Sequence, residues 1–203
     1  MAQQAALITD ILLVDRCKDG DGQATRELFR LYHKRVHATL YRILGRNQEI
    51  DDLMQESFIR VFRSLHTYRG EARLSTWIDR ITVRVAYQHM GKSKKIPTPT
   101  EHVNQLQATS ASPHLQADSR AGVRQLYAAL ALLPAAARIA FALHEIDGRS
   151  VAEVAEIVGA AKSATKLRIW RARRALFKIA SRDPVLAAFL SDVDFGEAQE
   201  EGA

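Results

Sequence analysis

The chain of 203 residues is 47% apolar and 26% charged, carries a formal charge of +6 and has a single cysteine. That size suits one domain or two small ones around a packed core, and the lone Cys17 excludes an internal disulfide. No apolar run reaches the length of a membrane span, the N-terminus lacks a signal-peptide pattern and no Cys/His spacing suits zinc, so the expectation is a cytoplasmic protein with no membrane insertion, no metal and no cofactor.

Charge is unevenly placed. Residues 1–95 and 122–182 are both strongly basic, residues 96–121 are close to neutral, and the charged side chains of residues 183–203 are all acidic. Two basic bodies imply a polyanion touched at two points, most simply nucleic acid. The plainer alternative is a solvated basic surface.

In chain order, apolar residues recur at helical spacing and strand-like alternation is scarce. Leu28, Leu31, Tyr32, Val36, Leu40 and Ile43 predict a helix ending near Gly45. Ile50, Leu53, Met54, Ser57, Phe58, Val61, Phe62 and Leu65 predict a second. Leu74, Trp77, Ile78, Ile81 and Val85 predict a third, ending near Gly91, with Trp77 turned inward. The following stretch is rich in Pro, Ser, Thr and Gln, and it is too long for an ordinary loop. A flexible linker and a domain boundary are therefore placed over residues 96–121.

Beyond it, Val123, Leu126, Tyr127 and Leu130 predict a helix up to Pro134, and another runs from about Ala135 to Ile146. Ser150 with Glu153 forms a capping box for a short helix through Val151, Val154, Ala155 and Val158. Gly159 ends that helix. A long basic helix follows, in a stretch with no acidic residue between Glu156 and Asp183. After Asp183-Pro184 one more amphipathic helix is expected before an acidic tail. The fold class is all-α, in two small helical domains.

A short capped helix, a Gly turn and a longer helix outline a helix-turn-helix. On the basic helix Thr165, Ile169, Ala172, Leu176 and Ile179 share the inward face. Ser163, Leu167, Trp170, Arg171, Arg174 and Lys178 face outward, with Lys166 at the edge and Lys162 at the start. Such a helix enters the major groove, where cations meet phosphates and guanine edges. Leu167 and Trp170 are apolar on this outward face. They serve either base and sugar contact or packing against the segment Val185–Phe189.

In the first domain the helix from Ile50 to Leu65 carries Asp52, Gln55, Glu56, Ile59 and Arg63 opposite its core stripe. An apolar Ile59 amid charges hints at a partner surface. The next helix sets Arg80, Val83, Arg84 and Tyr87 opposite its core stripe, and Lys92, Lys94 and Lys95 follow. A polar loop with Tyr68, Arg69 and Arg73 precedes it. Cations mixed with aromatic rings suit single-stranded nucleic acid, because charge tracks the backbone while rings stack on bases.

Together these segments resemble the extracytoplasmic-function (ECF) sigma factors of bacterial RNA polymerase, over nearly all of residues 10–180. "GDGQATRELFRLYHKRV" and "EIDDLMQESFIRVFRSLHTYRGEARLSTWIDRI" look like the family's region 2, and "LPAAAR", "GRSVAEVAEIVG" and "WRARRAL" look like its region 4. The resemblance implies an alternative sigma factor that directs promoter-specific transcription initiation and is not an enzyme. Residues 1–95 would dock on core RNA polymerase through Asp51, Asp52, Gln55 and Glu56, with Ile59 and Arg63 on the same face. They would also melt and read the −10 element through Tyr68, Arg69, Arg73, Arg80, Arg84 and Tyr87. Residues 122–182 would read the duplex −35 element through Lys162, Ser163, Lys166, Leu167, Trp170, Arg171 and Arg174. The short helix and acidic tail expected over residues 183–203 are not a hallmark of that family. The implied partners are core polymerase, promoter DNA and an anti-sigma factor. Two departures stand out: Val83-Arg84 replaces a frequent Arg-Asn pair, and "SATKLR" replaces the usual Gly-Thr-Val-Lys-Ser-Arg.

Three other readings compete. A sigma mimic that only titrates an anti-sigma would have neutralised its DNA faces, and both are cationic here. A simple repressor would not need the acidic face and the basic-aromatic helix. An enzyme would need a nucleophile–base pair, metal spacing or a phosphate loop, and none is visible. The histidines His33, His37, His66, His89 and His144 show no metal-ligand spacing.

Overall fold

The computed structural model describes residues 2–93 and 113–192, and among these residues every regular element is helical. The helices are α1 (Ala2–Lys18), α2 (Gly22–Leu44), α3 (Ile50–Ser64), α4 (Leu74–Ser93), α5 (Pro113–Ala131), α6 (Ala135–Phe141), α7 (Val151–Val158), α8 (Lys162–Ala180) and α9 (Pro184–Asp192). A 3-10 turn, Leu65–Thr67, follows α3, and a π-helical turn, Ala142–Ile146, extends α6. The expected linker lies outside the described residues up to residue 112, and so does the tail beyond residue 192.

Local chemistry sets the ends of these helices. The Asp21 carboxylate accepts the Gln23 and Ala24 amides at 2.8 and 3.2 Å and opens α2. The Ser150 capping box is formed in both directions, from Glu153 N to Ser150 Oγ at 3.2 Å and from Ser150 N to Glu153 Oε2 at 2.9 Å. Gly159 closes α7 at φ 64° and ψ 43°, the left-handed conformation that glycine adopts at no steric cost.

The packing follows the apolar stripes. Leu28, Leu40, Ile43, Leu53, Leu74 and Ile78 form the core of the first bundle. That core continues without a break into Ile139, Leu143, Val154, Ile157 and Ile169 from α6, its π turn, α7 and α8. A second cluster joins Leu126 and Leu130 of α5 to Phe141, Leu176, Leu186 and Leu190. The two helical domains therefore meet across a shared apolar seam.

Four expectations are corrected. Leu31 is exposed; it sits at the edge of the α2 stripe, where no neighbouring helix covers it. Val83 is buried with Thr82 and Ala86, because α4 is covered on two sides and its apolar arc is wider than one stripe. The start of α5 lies within the expected linker, at Pro113; its first turns show little apolar periodicity, and proline is compatible with a first helical turn. No helix was expected over Ala2–Lys18, yet α1 packs there, with Leu13 and Val14 buried.

The first domain also closes α1 onto α4 through a long-range cap. Asp10, on α1, is buried, and its Oδ2 accepts the Leu74 amide at 3.0 Å. An orphan donor at the start of α4 is thus satisfied from a helix 64 residues away.

Candidate nucleic-acid interface

On α3 the residues Asp51, Asp52, Gln55 and Arg63 are exposed, and Ile59 is 50% exposed. Glu56 is half-buried and pairs with Arg60 at 2.5 Å, one helical turn along. Sequence reasoning missed Phe29. This exposed ring lies 4.7 Å, centroid to centroid, from Phe58, the residue next to Ile59. Phe29 shares the helical phase of Val36 and Leu40, and that continuation of the apolar stripe was the available signal.

The loop between α3 and α4 differs from expectation at one residue. Tyr68 is only 5% exposed. Its hydroxyl donates to the Ala72 carbonyl at 2.8 Å and its ring meets Trp77 edge-on at 5.6 Å. Burial, with the nearby Asp10 charge, pushes its phenol pKa up to about 12. Tyr68 pins the loop to the core and offers no face to a base, because its ring is packed on Trp77 and its hydroxyl is bonded within the loop. Arg69 and Arg73 remain exposed. Along α4, Arg84 and Tyr87 are exposed, Tyr87 at 51%; this ring does not cap the core. Arg80 is exposed but engaged. Its Nε donates to the Glu156 backbone carbonyl at 3.0 Å, and its Nη2 lies 3.4 Å from the Glu156 carboxylate.

The α7–α8 pair is held against the π turn by Arg173, whose Nε donates to Glu145 at 2.7 Å. Along the rest of α8, Lys162, Ser163, Lys166, Arg171 and Arg174 are exposed. Leu167 and Trp170 are 43% and 47% exposed. The alternative in which they pack on the downstream helix is not what the chain adopts: α9 buries Leu186 and Leu190 against α5 and α8 instead. The Arg174 guanidinium lies over the Trp170 ring, 5.3 Å from its centroid, a cation–π contact within the exposed row.

A charge hub lies between the domains, and no stripe or motif had marked it. The Asp79 side chain is 0% exposed. Arg35 binds it in a fork at 3.0 and 2.7 Å, and Arg149 reaches the same carboxylate at 2.6 Å from the second domain. Arg149 also holds Asp147 at 2.5 Å, and Asp147 in turn holds Arg42 at 2.6 Å. Burial pulls the Arg149 pKa down, but the hydrogen bonds and charges of Asp79 and Asp147 outweigh it and raise it. Asp79 lies well off the helical phase of the predicted stripe through Leu74, Ile78, Ile81 and Val85, so no signal marked it beforehand.

The C-terminus of α2 is capped across the same seam. Its orphan carbonyls receive the Gly45 amide at Tyr41 O, the Tyr127 hydroxyl at Arg42 O (3.2 Å), and Arg138 Nε at Ile43 O (2.8 Å). A buried cation at that end also complements the helix dipole. Gly45 admits the Tyr127 ring: a Cβ there would come within 2.6 Å of it.

Among the described residues no cluster of His, Cys, Asp and Glu could hold a metal ion, and no helix is long and apolar enough to cross a membrane. The chain is helical, with a helix-turn-helix in one half and a basic-aromatic helix in the other. Comparison with known proteins gives the family. The profile "Sigma-70 region 2" matches residues 28–96, and "Sigma-70, region 4" matches residues 123–176. An ECF RNA polymerase sigma-E factor of Haemophilus influenzae is 32% identical over 183 residues, covering 85% of this chain and 94% of the relative. That of Escherichia coli K12 is 28% identical over 179 residues, covering 83% and 93%. Two solved structures share the fold. CnrH in complex with the cytosolic domain of CnrY has a TM-score of 0.59 at 19% identity, covering 86% of this chain and 98% of that one. The sigma factor RpoE with the anti-sigma factor NepR from Bartonella quintana has a TM-score of 0.53 at 20% identity, covering 78% and 97%. The chain belongs to the ECF group of the sigma-70 family.

Proposed function

We propose that this chain is an alternative sigma factor of the cytoplasm that carries core RNA polymerase to a small set of promoters, without enzymatic activity of its own. Residues 1–95 dock on the polymerase and capture the melted −10 strand. Residues 122–182 read the −35 duplex. The acidic face of α3, with Ile59 and the neighbouring Phe29 ring, offers charge and an apolar grip to a basic polymerase surface. Arg69, Arg73, Arg84 and Tyr87 track and stack on a single strand, joined by Arg80 when α7 moves away. Lys162, Ser163, Lys166, Leu167, Trp170, Arg171 and Arg174 face the major groove. An anti-sigma factor restrains the protein, a reading supported by the structural neighbour RpoE, which is in complex with the anti-sigma factor NepR.

The observation that carries this reading is that two cationic faces, each bearing an exposed aromatic ring, lie on helices of different domains. A factor that only bound duplex DNA would need one of them. Run-off transcription with core polymerase on genomic fragments tests it: discrete transcripts that depend on this chain are expected. Their absence with active core polymerase would remove the initiation role.

A further inference from the structure

The acidic segment after α9 has no part in the function proposed above, and it follows a helix whose exposed cations have no acid of their own. Lys162, Lys166, Arg171, Arg174 and Lys178 of α8 are exposed, and none of them pairs with a carboxylate among the described residues. The carboxylates on neighbouring elements are committed elsewhere: Glu145 to Arg173, Glu153 to the Ser150 cap, Glu156 to Arg80, and Asp183 to the amides of Val185 and Leu186. Three apolar side chains are exposed on the same helix, Leu167 at 43%, Trp170 at 47% and Phe177 at 54%. A row that mixes cations with apolar side chains is complementary to an acidic peptide that carries apolar residues.

Residues 193–203 have that composition. Asp194, Glu197, Glu200 and Glu201 are their only charged side chains, and Val193 and Phe195 flank the first of them. These residues lie outside the described ones, but the helix that carries them is fixed to the body that bears α8. Leu186 of α9 is fully buried in one cluster with Leu176 of α8, and Leu190 joins the same cluster. Beyond Asp192 the eleven residues 193–203 span up to roughly 36 Å when extended. With its 19 residues, α8 is about 28 Å long, so the segment is long enough to follow the whole row. A tethered segment also meets its site at a local concentration of about millimolar, and a weak affinity is then enough to fill it.

We propose that residues 193–203 are an intramolecular ligand of α8: Asp194, Glu197, Glu200 and Glu201 lie along Lys162, Lys166, Arg171, Arg174 and Lys178, and Phe195 seats against the exposed apolar side chains of that row. The docking rests on charge, apolar match and reach. Its consequence, that the segment competes with duplex DNA for α8, rests on the −35 reading given above. Carboxylates and phosphates claim the same donors, so occupancy by one excludes the other. The exclusion is graded, because exposed ion pairs are individually weak and screened by salt.

The test treats the full chain with a zero-length carbodiimide, which joins a carboxylate to a lysine amine in contact, and maps the links in the monomer by mass spectrometry. Links from Asp194, Glu197, Glu200 or Glu201 to Lys162, Lys166 or Lys178 are expected, and added duplex DNA should reduce them. Links to Lys92 of α4 instead, links found only between two copies, or none at all would overturn the docking. Affinity for a fluorescein-labelled duplex is then measured by anisotropy. A chain lacking residues 193–203 is expected to bind several-fold more tightly than the full chain at low salt, and the two should converge as salt rises. Removing four negative charges strengthens DNA binding in any case, so Val193→Ser with Phe195→Ser, which leaves the charge unchanged, is the deciding variant. It should lose part of the links and gain part of the affinity; a variant identical to wild type in both would overturn the seated segment. Lys166→Glu with Arg171→Glu in the shortened chain tests the −35 reading separately. Unchanged duplex affinity there would remove α8 as the duplex face while the links still decide the docking. Weakened affinity there, with no gain on shortening the wild-type chain, would overturn the competition.

Discussion

Thr165 and Tyr68 are polar side chains that the fold buries, Thr165 as its helical phase implied and Tyr68 against expectation. Thr165 sits on the inward face of α8 at 0% exposure, and its hydroxyl has no hydrogen-bond partner among the described residues. A buried hydroxyl without a partner costs about 1–3 kcal/mol. Thr165→Val keeps the shape, and the family pattern carries Val at this position; it is expected to raise stability by about 1 kcal/mol in thermal or urea unfolding. A loss instead would mean that the hydroxyl is satisfied in solution. For Tyr68 the expected cost of Tyr68→Phe is about 1 kcal/mol, one hydrogen bond to Ala72. Affinity for a premelted promoter bubble should not change in this variant, whereas a base-stacking tyrosine exposed to DNA would have announced itself in Tyr68→Ala through bubble binding more than through stability.

At the level of elements, α3 and α7 carry the sharpest expectations. On α3, Asp52 is exposed while Glu56 already pairs with Arg60. Each exposed ion pair with a partner is worth about 1 kcal/mol or less. A double reversal, Asp52→Lys with Glu56→Lys, replaces attraction with repulsion at two points and should weaken core polymerase binding by roughly tenfold or more. Wild-type affinity in a pull-down titration would move the docking face elsewhere. On α7, the hydrogen bonds from the Ser150 side chain and backbone hold the Glu153 carboxyl below its ordinary pKa. A depressed acid contributes stability above its unfolded value and loses that contribution as pH falls through the folded one. The capping box should therefore help at neutral pH and fade in the acid range below the ordinary glutamate value. Ser150→Ala is expected to cost about 1 kcal/mol at pH 7, with a smaller difference from wild type under acid conditions. Equal differences at both pH values would show that the carboxylate takes no part in the cap.

For the whole molecule, strand opening separates a sigma factor from an ordinary regulator. Arg80→Ala with Arg84→Ala should leave polymerase docking intact, because α3 is untouched. It should suppress opening of duplex promoters, read as permanganate reactivity of unpaired thymines, and a premelted template should recover part of the loss. Extruding a base costs a few kcal/mol and stacking returns about 1–3 kcal/mol per base, so loss of two cations is not fully repaid by premelting. Duplex binding through α8 should weaken as salt rises, because counterions are released from the DNA. Wild-type opening by the double variant, or salt-independent duplex affinity, would each displace the assigned face.

Most of what depends on neighbours along the chain was legible in the sequence, the helix α1 and the first turns of α5 excepted. Helical spacing marked the predicted helices, the Ser150 box and Gly159 marked the ends of α7, and the outward phase of α8 gave its cationic row. These signals are local because a helix repeats every few residues and its caps are built by adjacent side chains. What only the tertiary structure decided are pairings between distant residues. Asp10 caps α4, Arg138 reaches Ile43 O across 95 positions, and Arg149 meets Asp79 across 70. Periodicity tells which face of a helix turns inward, not which helix will cover it, so nothing along the chain marked Asp79 as the meeting point of two arginines. The inward turn of Tyr68 and the docking of α1 escaped for the same reason: both follow from how the first bundle closes over its loop. The surface chemistry of this sigma factor is written in its helical phase, and the contact that holds its two halves together is set by packing between segments that share no local signal.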